Sequence, residues 1–215
     1  MKYIYITGIL IIIGAILDFL FVTFRKKQSE KMGALLEKGD YKAFDQEIDS
    51  FANKYFLSVY NRNFMKLTSA VRQDKYDEAK KLTDGFKKAG MKKNEQYSVF
   101  TMIFNYFVYK ENREYSTLAL EKLREVKDSE NAGYIDSLEQ IYRIYIEKSD
   151  KDLETLLAQN EKMPEEYKYA SDFLIAKIYE NKKDKKNMSK YEKAGQQHYA
   201  VFQQKLKDTY MKNKQ

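Results

Sequence analysis

The sequence predicts an all-α protein: one apolar N-terminal helix followed by pairs of helices in series. Three observations carry that expectation. Apolar residues recur at spacings of three and four beyond residue 27, the signature of one buried helix face. One proline and eight glycines among 215 residues leave few breakers, and Lys, Glu, Leu, Ala and Tyr dominate, favouring helices with short turns. No stretch alternates with period two, as a half-buried strand would.

Residues 3–24 form the first element, the chain's only strongly apolar stretch. Its 22 residues make a helix of about 33 Å, enough for a hydrocarbon core of about 30 Å. Ile4, Ile6, Ile9 to Ile13, Ile16, Leu17 and Phe19 to Val22 leave no polar face, so a single transmembrane helix is expected rather than a surface helix. Tyr3 and Tyr5 suit an aromatic belt at one end. Arg25, Lys26 and Lys27 stop the run, giving an anchor over 1–27. A cleaved signal peptide is the competing reading, but the run is long and no small-residue site follows it.

Flanking charge bears on direction. Arg25, Lys26, Lys27 and Lys31 against Glu30 outweigh Lys2 and the α-amine by one or two charges, which favours a cytoplasmic C-terminal domain. The margin is narrow enough that the exported orientation stands as the alternative. Asp18 is the one ionisable residue of the run. It reads as a carboxylate reaching the interface seven residues before Arg25, or as a pairing site for a second membrane helix.

The later elements follow from apolar stripes and polar breaks. Phe100, Ile103, Phe104, Phe107 and Val108 form one stripe. Ile135, Leu138, Ile141, Tyr142 and Tyr145 form a second, and Phe173, Leu174, Ile178 and Tyr179 a third. Ser149 followed by Asp152 reads as a helix start, and Pro164 with Glu165 and Glu166 as a first helical turn. About five hairpins result, over 28–55, 56–91, 95–128, 130–162 and 164–213, turning at Asp40, Asp74, Arg113, Asp150 and Asp184. No Pro-rich or Ser-rich linker divides them, so 28–215 is expected as one domain. With no breaker from Arg25 to Glu37 except Gly33, the anchor is expected to run into the first hairpin.

The breaks recur. Ile144-Tyr145 with Asp150 returns as Ile178-Tyr179 with Asp184, 34 residues on. Gly39-Asp40-Tyr41 is answered by Asp74-Lys75-Tyr76 and then by Arg113-Glu114-Tyr115. Asp74 to Leu82 reads DKYDEAKKL, and Ala176 and Tyr179 fit small and aromatic first-helix positions. In period and wording the chain resembles the tetratricopeptide-repeat family, in a degenerate form that lacks Trp and most motif glycines. The resemblance implies an α-solenoid over residues 30 to 200. A different helical array is the alternative, because every helical hairpin needs a polar turn and an apolar face.

Composition excludes several chemistries. Without cysteine there is no disulfide, thiolate metal site or cysteine nucleophile. His198, the sole histidine, lies in a polar stretch and reads as a surface residue. Gly85 and Gly90 do not form a phosphate loop. Of the net charge of +7, residues 1–27 carry +3 and the remainder +4. Acids are interspersed among the lysines, so nucleic-acid binding is not expected. Neither catalysis nor a cofactor is expected.

Recognition is what the resemblance implies. The family's groove positions fall on Arg72, Phe100, Phe107, Lys110, Arg143, Phe173 and Lys177, with Asn61, Phe64, Thr68, Ile103 and Glu139 beside them. The cations Arg72, Lys110, Arg143 and Lys177 would form a carboxylate clamp. The competing reading makes the aromatics inter-repeat core and leaves the cations solvated. The expected function is a membrane-anchored, non-catalytic scaffold or adaptor that binds a protein or peptide partner in a membrane complex. The alternative is a chaperone-like accessory of protein export with its domain outside.

Overall fold

The computed structural model describes the backbone of residues 2–212 and the side chains of residues 16 and 18–211. Among the described residues there are eleven helices and no strand, so the protein is all-α. The chain forms two compact units, residues 1–90 and 91–215. The boundary at Gly90-Met91 carries no linker composition that would announce it.

In the first unit, α1 (Lys2–Lys38) is one unbroken helix. The expected membrane run falls mostly on residues 3–15 and 17, whose side chains lie outside the described set. Among the described residues no helix is long and apolar enough to cross a membrane. The second half of α1 packs against α2 (Tyr41–Ile48), α3 (Phe51–Phe56) and α4 (Val59–Arg72), and α4 packs against α5 (Tyr76–Lys87). Met32, Leu36, Phe44, Ile48 and Leu57 form the core among them. Three caps fix the starts of α2, α3 and α4: Asp40, Ser50 and Ser58 accept the backbone N–H of Ala43, Asn53 and Asn61. Each satisfies an amide that the first helical turn leaves open.

The second unit contains α6 (Lys93–Val108), α7 (Arg113–Glu125), α8 (Ala132–Tyr145), α9 (Leu153–Lys162), α10 (Glu165–Asn181) and α11 (Lys185–Lys212). Val99, Phe100, Ile103, Phe104, Phe107 and Val108 of α6 are fully buried, and α7 packs along α6. Ile144, Leu156, Ile175 and Ile178 join α8, α9 and α10 in a second cluster. Gly195 lets α11 approach α10, because a Cβ there would stand 2.9 Å from the Phe173 ring.

The turns share one backbone device. Gly39, Asp74, Glu111, Lys148 and Lys183 all have positive φ, between 52° and 71°. In four turns the next amide bonds back to a carbonyl five residues earlier: Asp40 to Leu35, Lys75 to Ala70, Asn112 to Phe107 and Asp184 to Tyr179. This left-handed residue closes the helix by satisfying its last carbonyls. At Lys148 the turn is one residue wider, with Ser149 N–H reaching Arg143 O.

Three local expectations change. The third turn lies at Glu111-Asn112, ahead of Arg113, so Tyr115 is not the counterpart of Tyr41 and Tyr76. The helix after Ser149 begins at Leu153 with Asp152 as its cap residue, because the wider turn consumes the intervening residues. His198 is not a free surface side chain. Its Nδ1 lies 2.6 Å from Oδ2 of Asp172, which is 1% exposed. Asn160 Nδ2 donates to the other carboxylate oxygen at 2.8 Å, tying α9 to α10.

Candidate functional site

An open groove of about 740 Å³ lies among α8, α10, α11 and the end of α6. Its walls include Ile141 and Tyr145 of α8, Tyr169, Phe173, Leu174 and Lys177 of α10, and Met188 and Tyr199 of α11, with Tyr109 just after α6. Helical spacing puts the α10 wall on one face: Tyr169, Phe173 and Lys177 are successive i, i+4 positions. Tyr109 and Tyr145 meet edge to face at 5.0 Å between ring centroids, and Tyr169 and Tyr199 do so at 5.4 Å. Burial, with the Tyr109 phenol beside it, pushes the Tyr145 hydroxyl up to about 12, so it stays a neutral wall.

One end of the groove is charged but internally balanced. Lys177 Nζ lies 2.6 Å from both Glu111 and Glu180 and 5.4 Å from the Tyr145 ring centroid, a cation–π position. Glu111 also pairs with Lys148. Hydrogen bonds from Lys148 and then Lys177 hold the Glu111 carboxyl below its usual range. Burial pulls Lys177 down, but its bonds to Glu111 and Glu180 more than offset this and its pKa is raised.

The site residues expected from sequence separate into four groups. Phe173 and Lys177 line the groove. Phe100 and Phe107 do not: they are fully buried, because the apolar stripe of α6 faces α7. Truncating either to alanine would cost about 3–5 kcal/mol of folding stability, leaving no partner effect to read. The clamp cations are engaged within their own units. Arg143 makes a two-pronged bond to Asp152, at 3.0 Å from Nε and 2.8 Å from Nη2. Arg72, in the first unit, donates to the Leu36 carbonyl at 2.7 Å and closes the end of α1. Lys110 stands over the Tyr106 ring at 4.9 Å. Lys177 itself is only 13% exposed at the side chain. The residues expected to set membrane topology, Asp18, Arg25, Lys26 and Lys27, are exposed on α1.

Sequence reasoning missed Tyr109, Tyr145, Tyr169, Tyr199 and Met188 as groove walls. The available signal was the tyrosine content, 19 in the chain, clustered at the ends of α6 and α8 and along α10 and α11. Among the described residues no group of three His, Cys, Asp or Glu is placed to hold a metal ion. Aromatic walls with one neutralised charged end are suited to burying an apolar ligand segment.

No family model, no curated protein and no solved structure matches the chain.

Proposed function

We propose that the chain is a single-pass membrane adaptor whose C-terminal unit captures an apolar segment of a partner protein. The observation that carries this is the aromatic groove over α8, α10 and α11. Its volume is in the range of about 300–1,000 Å³ typical of binding sites. The occupant is an apolar side-chain cluster, presented by a helix or an extended peptide. An acidic C-terminus is a poor fit, because Lys177 and Arg143 already hold carboxylates of this chain.

The membrane reading rests on the apolar run 3–24 with Arg25, Lys26 and Lys27 behind it, and the charge bias favours a cytoplasmic domain in a cell-membrane complex. The left-handed turn residues, spaced 35, 37, 37 and 35 apart, support reading the helix pairs as degenerate tetratricopeptide-like repeats. The adaptor works by binding, with no cofactor and no nucleic acid. The narrow charge margin keeps one other role in view, an exported domain gripping translocating chains. Alkaline phosphatase fused after Gln215 separates the two, since activity there would exclude the cytoplasmic orientation.

A photo-cross-linking side chain in place of Tyr199 tests the groove. It should yield a discrete adduct in membranes, and the same label at Glu121, outside the groove, should not. Equal labelling from both positions would remove the groove as the binding surface.

A further inference from the structure

The short helix α3 reverses the usual amphipathic order. Its uncharged polar residue points in: Asn53 is 0% exposed, and its Nδ2 donates to the Glu47 carbonyl at 2.7 Å and to Met32 Sδ at 3.3 Å. Two of its three aromatic residues point out: Phe51 is 84% exposed and Tyr55 64%, one helical turn apart. Val59, just beyond, is exposed as well. Water alone would favour the opposite arrangement.

The orientation is fixed rather than incidental. Ser50 caps the start of α3. At its end, Arg62 Nη1 donates to the Lys54 carbonyl at 2.8 Å and to the Leu57 carbonyl at 3.3 Å. Phe56 packs on Phe21 and Phe24 of α1, at 5.5 Å and 5.7 Å between centroids, and Tyr55 meets Phe21 at 6.0 Å. The α3 aromatics therefore sit level with the last turn of the apolar run. Phe21, which Tyr55 and Phe56 touch, is itself exposed, and so are Ile16, Phe19, Leu20 and Val22 round the same stretch of α1. Exposed Arg25, Lys26, Lys27 and Lys54 border it.

We propose that Phe51, Tyr55 and Val59 form a shelf seated in the boundary between headgroups and acyl chains of a lipid bilayer. The inference rests on the membrane reading of α1, to which it adds a second point of contact. Continuity selects the bilayer as occupant: the patch merges with the apolar run, and the basic residues lie where anionic headgroups would be. A helix from Ile4 to Phe21 is about 27 Å long, close to the hydrocarbon thickness. This places Phe21, and Tyr55 against it, at the interface where aromatic rings concentrate. Two contacts, one spanning and one interfacial, would hold the first unit at a fixed tilt to the membrane.

The chain has no tryptophan, so single tryptophans report cleanly. Full-length Phe51→Trp and Phe19→Trp variants are reconstituted in 3:1 phosphatidylcholine–phosphatidylglycerol vesicles, with and without lipids brominated near the glycerol end of the acyl chain. Both should emit at short wavelength and lose most of their emission to the brominated lipid. Quenching at Phe19→Trp with water-like, unquenched emission at Phe51→Trp overturns the shelf while leaving the anchor standing. Absence of quenching at both removes the anchor and the shelf together. A blue shift at Phe51→Trp that grows with protein density and ignores bromine would identify a second copy of the chain as the occupant, and overturns the proposal. The variant Tyr55→Ser, which keeps Asn53 and the α3 caps, should shift Phe51→Trp emission back toward water.

Discussion

His198 on α11 is a partner of Asp172, a buried carboxylate on α10, with 2.6 Å between Nδ1 and Oδ2. The bond ties the two longest helices of the second unit through the only histidine in the chain.

Removing the imidazole should therefore cost stability out of proportion to its partly exposed position. His198→Ala leaves Asn160 serving a buried carboxylate, for a loss of about 1.5–3 kcal/mol. Urea melts measure it. Adding Asp172→Asn to His198→Ala should recover part of the loss, and a strictly additive double variant would contradict the coupling.

Acid should loosen the junction of α8 and α9. The Arg143 hydrogen bonds hold the Asp152 carboxyl below its usual 3.8, and Lys148 with Lys177 hold Glu111 below 4.5. The unfolded chain takes up these protons first. The two contributions are therefore complete above the ordinary values and fade as pH falls through the depressed folded ones. Asp152→Asn should flatten this acid limb in a pH series of thermal melts, leaving the neutral-to-alkaline limb parallel to that of the parent.

Lys183 occupies a left-handed conformation at φ 60°, which costs a side-chain-bearing residue about 1–2 kcal/mol. Lys183→Gly should raise the melting temperature by a few degrees, partly offset by the greater freedom of glycine in the unfolded chain. Gly39→Ala, at φ 71°, should lower it. A fall for both would mean the turns are relaxed some other way.

The groove can be altered from behind. A methyl group at position 195 would press on the Phe173 ring at 2.9 Å, so Gly195→Ala should push Phe173 toward the groove, at a cost of about 1–3 kcal/mol. Cross-linking from position 199 should fall more steeply than stability, measured on the same preparation at a temperature where the variant is fully folded. Undiminished cross-linking would show that the occupant does not touch Phe173.

Helix positions and most turns were legible because they follow from local chemistry: turns at Asp40 and Asp184, acids at Glu165 and Glu166, and the apolar stripes. The site was less so. A stripe such as Phe100, Ile103 and Phe107 says that one face is buried but not against what, and here the answer is α7. Arg143 and Lys177 have the right spacing for a clamp, yet the acids that neutralise them, Asp152 and Glu111, are 9 and 66 residues away in sequence. The long-range pairing was invisible. Helix α3 was hidden for another reason: with Phe51, Tyr55 and Phe56 around a buried Asn53, its pattern inverts the rule by which a helix is oriented from sequence.

The left-handed turn residues are Gly, Asp, Glu, Lys and Lys, with almost no chemistry in common. What recurs is a backbone hand, which sets the phase at which each following helix starts. Substitution at these positions is therefore an adjustment of degree. Deleting one residue just inside a helix is a change of phase: every later side chain on that helix turns by about 100°, carrying a buried face such as Ile175 and Ile178 round toward water. The molecule should accept variation in the letters of its turns far more readily than variation in their number.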